Sequence, residues 1–206
     1  MYRVRHQIGY DTHFFSRGNP ENYAVAVVDS GIIRHPDLKE QVIAFYDFSN
    51  EKYNDCADFF GHGTHVAGII GARKNETGCT GIAPDCKLVS VKALEKQGST
   101  GKGKTSWVAS AVRLAVEQGA DIINLSLGGS SVKSELLYTV IKEAVDKEIP
   151  VVCAAGNITG TSMIFYPGAY EETIAVSALK ASGDSVTFAT QYSNYGEWVD
   201  ISAPGS

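Results

Sequence analysis

The chain has 206 residues, 44% of them hydrophobic and 20% charged, which is the make-up of one ordinary globular domain. Its formal charge of −5, with no basic run and no zinc-finger spacing, argues against nucleic acid as a partner. No positively charged start leads into an apolar stretch, and no segment approaches the ~20 apolar residues a membrane helix needs, so neither an export signal nor a membrane partner is read here.

In chain order, Val- and Ile-rich runs predict buried strands at 24–29 (AVAVVD), 87–94 (KLVSVKAL), 121–127 (DIINLSL), 150–156 (PVVCAAG) and 173–179 (TIAVSAL). Between them, GHGTHVAGIIGA at 61–72 opens a helix of small residues, and TSWVASAVRLAVEQG at 105–119 repeats apolar residues every three or four positions before Gly119. SELLYTVIKEAVDKE starts from Ser134, a cap residue, and stops before Pro150. Strands alternating with helices predict an α/β fold with a mostly parallel sheet, whose ligands sit beyond the carboxyl ends of the strands. Cys56, Cys79, Cys86 and Cys153 form no CxxC pair and are sparse for a disulfide scaffold, so reduced thiols and a cytoplasmic location fit. A secreted chain that had lost a signal and a pro-segment would read the same.

Residues just after the strands carry the chemistry. Asp29 ends the first strand, where an aspartate is either a turn residue or a functional carboxylate. His62 sits between two glycines, which suggests close approach of another group; alone it reads equally as a packed, hydrogen-bonded histidine. His62 and His65 could hold a metal, but the HExxH glutamate and a third ligand are absent from the pattern. Asn157 follows the 150–156 strand as a loop former or an oxyanion donor. Together the three supply an orienting carboxylate, a general base and an oxyanion donor, the set that acyl transfer by a serine requires.

A competing motif is GSTGKGKT, Gly98 to Thr105, a literal match to the phosphate-loop pattern GxxxxGK[ST] between a strand and a helix. Polar EKQ separates it from the apolar strand and no later strand ends in the metal-holding aspartate of an NTPase, so the alternative is a mobile, solvated surface loop.

With VVDSGI and HPDL, GHGTHVAGII, GIAPDCKLVSVKAL, SWVASAVRLAVEQGADIINLSLGG, VVCAAGN, YPGAY and ISAPG in this order, the sequence resembles the subtilisin-like serine proteases, or subtilases, from about Tyr23 onward. The resemblance implies a three-layer α/β domain over 23–206, incomplete at its carboxyl end, with residues 1–22 as an extension packing on it. It implies a serine endopeptidase in which Asp29 holds His62, His62 is the base and Asn157 faces the oxyanion. Ser126, Leu127 and Gly128 would pair with an extended peptide or protein substrate, and Ala154, Ala155 and Gly156 would wall the pocket for the side chain preceding the scissile bond. Lys102 and Lys104, on a loop longer than is usual for the family, would favour acidic substrates.

The resemblance further implies calcium held by Asp37 and Asn75 with backbone oxygens, a reasonable oxygen set; on the residues alone Asp37 reads equally as a turn residue and NETG as a plain surface loop. Ser162 lies in a GTSM that mimics the family's nucleophile segment, but IFYPGAY follows it and ISAPG comes after it, so it reads as a loop serine. The nucleophile is then expected about twenty residues beyond Ser206, a spacing taken from the family pattern. An inhibitory pro-segment, or a complementing carboxyl-terminal segment, is the implied protein partner. An inactive, peptide-holding pseudoprotease is the alternative.

Overall fold

The computed structural model describes residues 19–49, 56–158, 161–182 and 185–205. Most of the expected extension, 1–18, therefore lies outside the described residues. The chain runs β1 (Ala24–Asp29), β2 (Val42–Asp47), α1 (His62–Gly71), β3 (Lys87–Lys92), β4 (Glu95–Gln97), β5 (Thr100–Lys102), α2 (Thr105–Glu117), β6 (Ile122–Leu125), α3 (Glu135–Val145), β7 (Val151–Ala154), β8 (Ile174–Ser182), β9 (Ser185–Phe188) and β10 (Ile201–Pro204).

The main sheet has the order β10-β8-β7-β6-β1-β3-β2, parallel between all these neighbours, with β9 antiparallel to β8. β1 is buried at all six positions, as a central strand covered on both faces must be. One face packs on α1 through Val25, Val27, Ile32, Ala67 and Leu88. The other packs on α2 and α3 through Val28, Val91, Val112, Leu125 and Ile141. Three layers result, as expected from the sequence. Each Val or Leu so buried contributes about 1.5–3 kcal/mol.

The helix ends follow local chemistry. Ser134 accepts the Leu137 amide on its hydroxyl, the expected cap of α3. Gly119 adopts a φ of 69° just past α2, a backbone turn that a side chain would strain.

Two strand expectations change. VIAFYD at β2 reads as no strand in the sequence, because it is an edge strand whose residues are half-covered without a clean alternation. Gly98 to Thr105 is mostly exposed, as a solvated surface loop is, but the phosphate-holding alternative is corrected. Its residues build the β4–β5 hairpin, with Glu95 opposite Lys102 and Gln97 opposite Thr100. Amides committed to an antiparallel ladder cannot converge on one phosphate.

Strand order reverses between β1 and β6, because the chain first goes out to β2 and back to β3 on one side and then crosses to β6 and winds outward through β7 and β8 on the other. The crevice at such a switch point is where an α/β sheet binds its ligand. Asp29 ends β1 there, and Ser126 follows β6 directly.

Candidate active site

The Asp29 carboxylate is fully buried at the end of β1. His62, the first residue of α1, brings its Nδ1 to 2.8 Å from Asp29 Oδ1 and 2.9 Å from Oδ2. Burial of one partner and partial exposure of the other suit a base: the His62 side chain is 41% exposed, leaving its far nitrogen toward the cleft. The hydrogen bond to Asp29 raises the imidazole above its ordinary value; burial opposes this, and the negative charges of Asp29 and Asp58 add to it.

The corner closes because no side chain intervenes. A methyl group on Gly63 would collide with the Gly31 carbonyl and stand 3.1 Å from Asp29 Cβ. Instead the Gly63 amide donates to Ser30 Oγ at 2.9 Å, and the Ser30 amide donates to Asp29 Oδ1 at 2.7 Å. His62 also stacks on Phe60, centroids 5.7 Å apart.

A cleft of about 1400 Å3 runs from this corner across the sheet ends. It is lined by Phe60 and His62 on one side and by Ser126, Leu127, Gly128, Ala154, Gly156 and Asn157 on the other. Its volume exceeds what a small metabolite needs and suits an extended chain. Asn157 is exposed and its amide makes no hydrogen bond to any described residue, so its donors are free. Lys102 and Lys104 line the same cleft, with Lys104 Nζ 4.8 Å from the Trp107 ring.

One expected wall residue lies elsewhere. Ala155 is 1% exposed, donates its amide to the Val176 carbonyl, and is not part of the cleft lining. Alternation along the extended chain turns it to the opposite side from Ala154 and Gly156. Ser162 is exposed and also outside the lining.

Several supporting residues escaped the sequence reading. Asp58 accepts from the Gly61 amide at 2.7 Å, the Phe60 amide at 3.2 Å, and the Thr64 amide and hydroxyl at 2.9 and 2.7 Å. Burial works to raise Asp58, but hydrogen bonds from Thr64, Gly61 and Ser30 outweigh it and hold the carboxyl below its ordinary value. An acidic residue shortly before GHGTH is the capping signal that could have revealed it. Lys92 is 1% exposed and donates to the carbonyls of Leu94 at 2.6 Å and Ser30 at 3.2 Å, tying the Asp29 turn to the cleft wall. Asn194, fully buried, accepts the Ile158 amide on its Oδ1 at 2.9 Å and donates its backbone amide to the Gly156 carbonyl at 3.0 Å, bracing the Asn157 loop from 36 residues away. Nothing in the sequence signals so distant a contact.

Asp37 and Asn75 do meet, as acceptor and donor. Asn75 Nδ2 stands 3.0 Å from Asp37 Oδ1, the Cys79 amide donates to Oδ2 at 3.3 Å, and Asn75 Oδ1 accepts the Thr77 amide at 3.0 Å. The Asn75 and Cys79 hydrogen bonds depress the Asp37 carboxyl. An oxygen cage for calcium needs both side chains to present oxygen. With N–H donors on both carboxylate oxygens and the amide oxygen turned to Thr77, this pair does not fit the ion as arranged. No group of three or more His, Cys, Asp or Glu forms a metal cluster among the described residues, His62 and His65 included.

The family model described as "Subtilase family" matches residues 21–206. The chain is 41% identical over 189 residues to the "Intracellular serine protease" of Paenibacillus polymyxa, covering 88% of this chain and 56% of that protein. To the "Major intracellular serine protease" of Bacillus subtilis (strain 168) it is 40% identical over 193 residues, covering 90% and 58%. The chain thus spans about half the length of the curated relatives it matches. Among solved structures, proteases from Pseudoalteromonas arctica superpose with a TM-score of 0.83 at 30% identity over 94% of this chain and 66% of theirs. Sphericase gives 0.76 at 36% identity, over 89% and 66%.

Proposed function

The chain belongs to the subtilase family, and from that membership we propose that it forms the acid–base and substrate-binding part of a serine endopeptidase acting through an acyl-enzyme. The observation that carries the reading is His62 Nδ1 against both oxygens of the buried Asp29 carboxylate, at the mouth of the cleft.

In the proposed step a serine hydroxyl attacks the scissile carbonyl carbon, and its proton passes to the free nitrogen of His62. Asp29 fixes the tautomer and stabilises the imidazolium that forms. The electron pair displaced onto the carbonyl oxygen is met by the Asn157 amide. Collapse of the tetrahedral species breaks the C–N bond as His62 returns the proton to the leaving amine, and water then releases the acid by the same route.

We assign the nucleophile to a serine beyond Ser206 rather than to Ser162, because Ser162 is exposed outside the cleft. A carboxyl-terminal segment supplying it is the partner we favour. The parallel register aligns Ile174 and Ile201 with Val152 and Val176 on one sheet face, where they are 40% and 56% exposed. That apolar strip favours cover by further polypeptide. Peptide holding without cleavage is the corresponding reading for the 206 residues by themselves. A cytoplasmic location is supported by the free thiols of Cys79, Cys86 and Cys153 and by the names of two intracellular relatives. No helix among the described residues is long and apolar enough to cross a membrane.

A fluorophosphonate probe read by intact mass tests the assignment. The 206-residue chain is expected to take no adduct, and a longer protein containing the family's remaining segment is expected to take one that His62→Ala abolishes. An adduct on the shorter chain that disappears in Ser162→Ala would overturn the nucleophile assignment.

A further inference from the structure

We propose that Phe165 makes this cleft select small side chains at the residue preceding the scissile bond; the inference rests on the peptidase reading above. The two segments assigned to that pocket line one cleft through Ser126, Leu127 and Gly128 and through Ala154 and Gly156. Their glycines report what stands between them. A methyl group on Gly128 would lie 2.6 Å from Phe165 Cε1 and 2.8 Å from Cδ1. One on Gly156 would lie 2.7 Å from the same Cδ1 and 3.0 Å from Cγ. A single edge of one ring therefore bears on both walls, and the ring occupies volume that a large substrate side chain would need.

The ring is held from behind. The Tyr166 amide donates to the Ser130 carbonyl at 2.8 Å, the Gly129 amide donates to Tyr166 O at 3.4 Å, and the Ala169 amide donates to Phe165 O at 3.1 Å. The first two bonds tie Tyr166, next to Phe165, to the wall that carries Gly128, as an isolated antiparallel bridge between Ser130 and Tyr166, and the third closes the turn that follows Phe165. Tyr166 in turn packs on Tyr170, with ring centroids 4.6 Å apart. The bridge fixes the backbone from which the phenyl ring projects, so a large substrate side chain needs the ring to leave its rotamer, whereas an alanine does not.

The chemistry of the remaining walls agrees. Gly128, Ala154 and Gly156 offer no charge, so neither an acidic nor a basic side chain finds a partner in the pocket. An aromatic or long aliphatic side chain would overpack against the ring. Alanine and similarly small residues fit the shallow space that remains. Nothing in the sequence marks Phe165, because its ring acts through two glycines that lie 9 and 37 positions away.

Product-like peptides occupy such a pocket without turnover, so the 206-residue chain itself can be tested. Two peptides identical except for a terminal alanine or phenylalanine are titrated by calorimetry against the chain, Phe165→Gly and Phe165→Leu, with circular dichroism as the folding control. The unsubstituted chain is expected to bind the alanine peptide about tenfold more tightly or better, within the range a hydrophobic pocket can discriminate. Phe165→Gly is expected to reverse the order and Phe165→Leu to narrow the gap. Should Phe165→Gly not fold, the order in the unsubstituted chain and in Phe165→Leu decides. Equal or tighter binding of the phenylalanine peptide by the unsubstituted chain overturns the proposal, as does an unchanged order in folded variants. If neither peptide binds any of the three proteins, the peptide-cleft reading itself falls, a result distinct from a wrong order.

Discussion

The two halves of the sheet are finished to different degrees. Around β1 and β3 both faces are closed: Val27 and Leu88 meet α1, Val28 and Val91 meet α2, and all four are fully buried. Around β8 one face is tight, with Ala175 and Ser177 buried, while on the other Val176 is half-covered and Ile174 and, on β10, Ile201 are exposed. The acid–base pair stands in the closed half. The Asn157 loop, by contrast, borders the open one and relies on Asn194 to hold it. Proton transfer depends on fixed distances of a few tenths of an ångström, and it is the closed half that supplies them.

The largest effect that would sharpen this contrast is on stability. Leu88→Ala removes a fully buried side chain between β3 and α1 and is expected to cost about 2–5 kcal/mol. Ile201→Ala, at 56% exposure, is expected to stay within about 0.5 kcal/mol. Urea unfolding measures both, and similar costs would mean that the open face is not open in solution.

Next comes the cap of α1. Asp58→Ala leaves the Gly61 amide just before the helix and the Thr64 amide in its first turn without their acceptor and is expected to cost about 0.5–2 kcal/mol. Because those amides flank His62, the variant is also expected to move the His62 ring resonances in NMR spectra. A loss of stability with unmoved His62 signals would confine Asp58 to the helix and remove it from the site.

The same contrast explains how much of the molecule was legible in advance. Central strands such as AVAVVD and the helix that begins at Thr105 write their burial into the sequence, because their packing repeats with the period of the element. Asp29, His62 and Asn157 were legible as strand-end residues, and the family resemblance joined them. What escaped was contact at long range or against local habit. Lys92 reads as a surface residue in a strand, yet it is 1% exposed because two backbone carbonyls receive its ammonium group. Asn194 and Phe165 act across loops whose folding no local pattern encodes. The Gly98 to Thr105 match misled for the opposite reason: a four-letter pattern says nothing about whether its amides are already paired.

The smallest expected effect separates His62 from Asp58 by pH. His62 titrates higher in the fold than its ordinary value of about 6.5. A group raised by folding contributes its full stabilisation below its unfolded value and loses it as pH rises through the folded one. The stability difference between the unsubstituted chain and His62→Gln is therefore expected to be largest below about pH 6.5 and to shrink on the alkaline side. Asp58 has the opposite sign. Its depressed carboxyl stabilises above the unfolded carboxylate range and fails only as pH falls through the folded value, so it is silent near neutrality. Unfolding curves between pH 5 and 9 thus read the His62–Asp29 pair alone among these groups. A difference that grew toward alkaline pH would mean that the imidazole is held neutral in the fold, and the same pair could not then act as a base whose proton affinity is raised by Asp29.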